Sequence, residues 1–326
     1  MMKLFFLLVI CLILFTACSL PQSQAQKKDA QYKPWSEVAG TNTSSEYDEA
    51  KQLGTITDEA LPEVSGITAS RINPGVFWVH NDSGDKARIF AIDEKGKLLA
   101  KIKITEAENI DWEDIAMGTG SDGQSALYIA DTGNNNRDRT VMTIYRIREP
   151  KLSGEKQAAT EPAEAFPVSY PDGKHDCEAI FINPTNNQIY FVTKTLKGDC
   201  GIYRYPLPLR PKEKVVLEKV EGKQSKKITQ LRMVTAASTA PDGNRVVIRT
   251  YFGAFELQRE KGKAFETIFD HEPAIIKVPL LKQAEAICYT TDGKSLVTTS
   301  EKLPAPLYQM ARRLSPANST GLKLIA

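Results

Sequence analysis

At 326 residues, with 25% of them charged and a net charge of only +2, the chain has material for a large core and no excess of either sign. That balance argues against nucleic acid, and against a membrane surface held by charge alone. The 3 histidines and 5 cysteines show no spacing that suits zinc or copper.

The first element in chain order is a targeting segment. Lys3 is followed by an apolar run, Leu4 through Phe15, and then Thr16-Ala17-Cys18. The run is short for a membrane span and has the charged-then-apolar form of a secretion signal. Its end, Leu14-Phe15-Thr16-Ala17-Cys18, resembles the lipobox of bacterial lipoproteins. That resemblance implies acylation of Cys18, a palmitate-type anchor and an exported, envelope-held protein. Ser19 fits outer-membrane sorting where the organism has two membranes. An ordinary cleaved signal with a chance cysteine is the alternative. Residues 19–50 are polar and read as a flexible tether, which leaves 51–326 for one folded domain.

Within that domain a unit recurs: acidic residue, strand, tight turn, strand, acidic-Gly loop. Its clearest copy is Asp111-Trp112-Glu113-Asp114-Ile115-Ala116, a Ser121-Asp122-Gly123 turn, Leu127-Tyr128-Ile129-Ala130 and Asp131-Thr132-Gly133-Asn134. Weaker copies open at Glu63, Asp176, Thr235 and Ala284, roughly 50 to 65 residues apart, the spacing of radial arrays. Third and fourth strands follow, as at residues 87–92 and 98–104. Four strands per repeat make one propeller blade. The reading is therefore an all-β propeller of five four-stranded blades. The last blade takes its fourth strand from residues 52–57, which closes the ring and hides an edge. Six blades is the alternative, because residues 206–231 are long and their strands poorly marked.

Cys177, Cys200 and Cys288 remain after processing, and export permits oxidation. Cys177 and Cys200 fall two strand spacings apart, roughly 9 to 10 Å, so a disulfide needs the intervening loop to fold over.

In a blade the innermost strand opens the repeat. Glu63, Glu113, Glu178 and Glu285 therefore converge on the axis, with Ala236 in the remaining place. Second strands run back, bringing Asp82, Asp131, Lys194, Thr250 and Glu301 to the same mouth. Converging carboxylates repel, so either their pKa values rise or a cation neutralises them. Oxygen donors on flexible loops suit calcium above magnesium. Glu63, Glu113, Asp131, Glu178 and Glu285 are the candidate ligands. Asp82, Asn134, His175, Lys194, Arg249 and Glu301 are candidates for contact with a bound ligand. A carboxylate ring that instead accepts backbone N–H groups from neighbouring blades is the structural alternative. Trp78 and Trp112 read as packing between blades.

Ser65-Gly66-Ile67, Asn81-Asp82-Ser83-Gly84, residues 111–116, Asp131-Thr132-Gly133-Asn134, residues 175–180 and Ser300-Glu301 together resemble a family of bacterial secreted and lipoprotein propellers without an assigned activity. The resemblance covers about residues 61–307. More distantly the chain is similar to the calcium-dependent propeller hydrolases of the phytase-like, gluconolactonase-like and paraoxonase-like groups. Their channel Glu, Asn and Asp ligands would fall on Glu63, Glu113, Asp131, Glu178 and Glu285, and the match departs at Ala236. The expectation is an envelope lipoprotein that binds a divalent cation and a small-molecule or polymeric ligand at one mouth. A calcium-dependent hydrolase of phosphoesters or lactones, with Glu178 or Asp131 as base or nucleophile, is the second reading. A protein-interaction scaffold is the third. No nucleophile elbow, phosphate loop or triad spacing favours an enzyme.

Overall fold

The computed structural model describes residues 42–313, apart from 198, 223–227, 229 and 230. The signal segment, Cys18 and the tether up to residue 41 lie outside the described residues. The rest is a five-bladed β-propeller.

Blade 1 consists of β2 (Val64–Ala69), β3 (Val76–Asn81), β4 (Arg88–Asp93) and β5 (Leu98–Thr105). Blade 2 has β6 (Trp112–Thr119), β7 (Ser125–Asp131), β8 (Met142–Arg148) and β10 (Glu164–Ser169). Blade 3 has β11 (Asp176–Ile182), β12 (Ile189–Lys194), β13 (Ile202–Arg204) and β15 (Glu218–Lys219). Blade 4 has β16 (Val234–Thr239), β17 (Arg245–Thr250), β18 (Gly253–Gln258) and β19 (Ala274–Ile276). Blade 5 has β20 (Ala286–Tyr289), β21 (Ser295–Thr299) and β22 (Ala305–Ala311), and is completed by β1 (Lys51–Ile56) antiparallel to β22. The closure from the N-terminal side is the one expected from the sequence.

Blades 1 and 2 each carry a further edge strand. β9 (Gln157–Pro162) runs parallel to β5, and β14 (Val215–Val216) runs parallel to β10. Residues 157–169 thus follow the outer edge of blade 1 and then that of blade 2, fastening the two together. The 206–231 stretch yields only β14 and β15 among its described residues, both on outer edges, so it forms no sixth blade.

The innermost strands touch in the circular order β2, β6, β11, β16, β20 and back to β2. Apolar clusters fill each junction. One joins Trp78 and Ile89 to Trp112 and Ile129, the next Tyr128 and Phe166 to Ile180 and Phe191. The third packs Phe181 and Val192 on Val234 and Phe255, and the fourth Ala236 and Val247 on Ile287 and Leu296. The last sets Val297 and Leu307 against Ile67 and Val79. The innermost strands β2 and β11, and the second strand β3, are covered on both faces and buried at every position, polar residues included.

Residues 42–50, read from sequence as the end of the tether, pack on blades 4 and 5. Thr43 bridges Ile275 and Tyr47 bridges Arg312. The Tyr47 and Tyr289 hydroxyls donate to the buried Glu256 at 2.5 and 2.7 Å, and Arg245 lies 3.7 Å from the same carboxylate. Cys177, Cys200 and Cys288 are free, buried thiols. Among the described residues no helix is long and apolar enough to cross a membrane.

Candidate functional site

Four of the five innermost strands enter the channel through the same irregularity. The ladder shifts between Val64 and Gly66, Trp112 and Asp114, Cys177 and Ala179, and Val234 and Ala236. The extra residue of each bulge, which has no partner opposite, is Ser65, Glu113, Glu178 or Thr235. In blade 5 the same count reaches Glu285, immediately before β20.

This corrects two positions. Ser65, not Glu63, is the blade 1 counterpart of Glu113, and Thr235, not Ala236, is that of blade 4. The sequence reading takes whichever glutamate opens the repeat, and in blade 1 that glutamate stands two residues ahead of the bulge, which recurs at the same place in all four blades. Glu63 instead matches Asp111 and Asp176, two residues ahead of the bulge. In the two blades without a bulge carboxylate, a hydroxyl fastens the next blade. Ser65 Oγ donates to the Glu113 carbonyl at 2.7 Å, and Thr235 Oγ1 to the Ala284 carbonyl at 2.9 Å.

Glu113, Glu178 and Glu285 are 4%, 2% and 3% exposed, so the three carboxylates are all out of bulk water. Around them two sets converge. One oxygen from each of Glu113, Asp176 and Glu178 lies within 4.8 Å of the others, and the same holds for Asp82, Asp111 and Glu113. Glu113 belongs to both. Gly133 is what allows the approach: a Cβ there would stand 2.1 Å from Glu113 Oε1 and 2.4 Å from the Asp111 carboxyl.

Burial dominates the electrostatics. It raises Glu113 well above the usual carboxylate range, with Glu178, Asp82 and Asp111 adding repulsion. Burial likewise raises Glu178, against the pull of Lys194. Asp111 is pushed up to about 6 by burial and then by Asp82 and Asp176. Glu301 reaches about 7 through burial and the Glu285 and Asp82 charges. One ammonium answers this group: Lys194 Nζ lies 2.8 Å from Glu178 Oε1 and donates to the Tyr251 hydroxyl at 3.3 Å. Burial pulls the Lys194 pKa down, but Glu178 and its neighbours override it and the net shift is upward.

The remaining predicted residues take other places. Asp131 is fully buried, accepts from the Asp111 amide at 2.9 Å and pairs with Arg139 at 3.1 Å. It positions Asp111 and stands outside both carboxylate sets, although its Oδ2 has no partner. Asn134 spends its side chain on the Arg139 amide and on the Arg139 and His175 carbonyls, while its own amide donates to Asp176 Oδ1 at 2.7 Å. It orients a carboxylate from behind. His175 engages Asp172 at 2.9 Å and the Tyr203 hydroxyl at 3.1 Å on blade 3, not Asp176. Arg249 is fully buried, donates to the Pro279 carbonyl at 3.2 Å and is lowered to about 10 by burial. Its Nε and Nη1, and Glu285 Oε2, are without hydrogen-bond partners. Glu301 accepts from the Gln283 side chain.

Asp111, Asp176 and Tyr251 are site residues that the sequence reading did not select. The pattern was present as Asp111-Trp112-Glu113 and Asp176-Cys177-Glu178: the same acid-x-acid step on two neighbouring blades. Asp114 was also missed. It is buried on β6, where its Oδ2 accepts from the Ile180 and Ala237 amides at 2.9 and 3.1 Å, and its Oδ1 from Ile115. This one carboxylate ties the innermost strands of blades 2, 3 and 4 and does what the structural alternative asked of a glutamate.

The donor set is all oxygen, from the buried Glu113, Asp176 and Glu178 and the half-buried Asp82 and Asp111, which fits a hard divalent cation. No protein-family model matches the chain, and no curated protein matches it. Among solved structures it is similar to a glucose dehydrogenase at 9% identity and TM-score 0.46, over 80% of this chain and 99% of that one. A second glucose dehydrogenase structure aligns at 11% identity and TM-score 0.43, covering 80% and 99%. The Pan2 WD40 domain of Neurospora crassa aligns at 9% and 0.41, covering 84% and 98%.

Proposed function

We propose that this chain is a lipid-anchored envelope propeller whose channel mouth binds a divalent cation, calcium by preference, together with an anionic or polar ligand. One observation carries the reading: Glu113 is shared by two sets of carboxylates from blades 1, 2 and 3, each drawn within 4.8 Å. Such crowding of buried acids is costly unless protons or a cation intervene. Gly133 keeps the space that lets two of them meet. When bound, the ion would neutralise Glu113, Asp176 and Glu178 and offer a Lewis-acid centre to a ligand oxygen. The chain's own residues supply the rest: Asn134 and Asp131 orient the carboxylates, and Tyr251 shapes the side where Lys194 rests.

Thermal unfolding tests this directly. Calcium at a hundredfold excess over Kd should add about 2.7 kcal/mol, and chelator should remove it. Glu113→Gln and Glu178→Gln should abolish the shift. An unchanged melting temperature with metal would instead favour the scaffold reading. The hydrolase reading draws on the raised pKa values of Glu113 and Glu178 beside this centre. It requires calcium-dependent cleavage of a simple phosphoester or lactone, lost in the same variants.

A further inference from the structure

We infer that Lys194 is a built-in counter-ion that a divalent cation must displace from Glu178, so that this lysine sets the affinity and charge selectivity of the mouth. The inference rests on the metal-binding reading above and concerns a residue of the chain itself. Among the described residues, Lys194 is the cation in ion-pair contact with the crowded carboxylates, at 2.8 Å from Glu178 Oε1. Glu178 is in turn one of the three acids whose oxygens converge with those of Glu113 and Asp176. The Glu178 carboxylate has lone pairs enough for both, but an ammonium 2.8 Å from its Oε1 and a divalent ion on the same group would stand within a few ångströms of each other in a buried site, where their charges repel.

The fold also provides a place for the displaced ammonium. Its Nζ already donates to the Tyr251 hydroxyl at 3.3 Å and lies 5.1 Å from the centre of the Tyr251 ring. A small rotation about the end of the flexible lysine stem exchanges the carboxylate for this aromatic face, which attracts a cation without competing for the metal. Lys194 ends β12 and Tyr251 follows β17, so the donor and its alternative acceptor come from adjacent blades and stay in register when the ring is closed. Monovalent ions gain too little from the carboxylates to break the pair, whereas a divalent ion gains about twice the Coulomb energy.

The test is calorimetric titration with calcium chloride alone on the whole protein, wild type against Lys194→Met, alongside melting curves in chelator. The expected result is a lower metal-free melting temperature for Lys194→Met and calcium binding tightened by about tenfold or more. Tyr251→Leu keeps the Glu178 pair but removes both the hydroxyl and the aromatic face, and should weaken calcium binding severalfold. If Lys194→Met does not fold, Lys194→Gln, which is neutral but still hydrogen-bonds Glu178, serves instead and should also bind calcium more tightly. Calcium binding by the lysine variants that equals or falls below wild type overturns the inference and leaves the metal site standing. Absence of calcium binding in wild type and lysine variants alike overturns both.

Discussion

Gly133 lies where the Glu113 and Asp111 carboxyl groups crowd the backbone from one side, and its conformation is one any residue can adopt. Only space forbids a side chain there. Gly133→Ala should therefore fold, push the Glu113 and Asp111 carboxyls away by about an ångström and weaken calcium binding by about tenfold or more, as read by titration. Asp114 offers the contrasting case of an acid with no ion to serve. Replacing it by Asn turns a donor toward amides that need an acceptor, at a cost of about 1–3 kcal/mol in denaturant unfolding, with calcium affinity preserved. Both residues stood in plain view in the sequence, but nothing local separated them. Asp114 adjoins Glu113, and which of two neighbouring acids faces the axis depends on a bulge.

That bulge explains how much of the site was legible at the level of elements. The strands, their turns and their order in the ring were readable, since Pro74-Gly75, Asp122-Gly123, Asp242-Gly243 and Asp292-Gly293 mark hairpins in which the glycines take positive φ. The facing of each inner strand was not, because a one-residue insertion in the ladder reverses which side chains reach the channel. Glu113 and Glu178 fall in the converging sets beside Asp111 and Asp176, which the sequence reading passed over, and Glu63 stands two residues ahead of the bulge. Strands β14 and β15 were illegible for another reason: two residues paired at an outer edge leave no periodicity to read. The bulges also make their own prediction. Thr235→Val removes the hydroxyl that holds the Ala284 carbonyl at 2.9 Å and keeps the shape. It should cost about 1–2 kcal/mol by chemical denaturation, against a smaller change for Thr267→Val, whose hydroxyl bond to the Ala264 carbonyl is open to water.

At the scale of the whole molecule the mouth links stability to acidity. Asp111 is raised from 3.8 to about 6 and Glu301 from 4.5 to about 7, both chiefly by burial. The folded chain therefore holds protons that the unfolded chain releases, and without metal its stability falls as pH rises through about 4 to 7. His80, lowered by burial from 6.5 to about 4, works in the opposite sense, but the raised carboxylates outnumber it. Melting in chelator should accordingly be lower near neutral pH than at about pH 5, with calcium closing the gap; a melting temperature that climbs over that interval contradicts the assignment. Circular closure has a consequence for biogenesis. Because β1 pairs with β22, the earliest strand of the ring to leave the ribosome has its partner among the last to be made. It must stay unpaired, or be shielded by a chaperone, until translation passes residue 311. A chain interrupted before β22 would expose raw edges at both ends of the circle, and cellular quality control could tell it from a finished molecule by those edges alone.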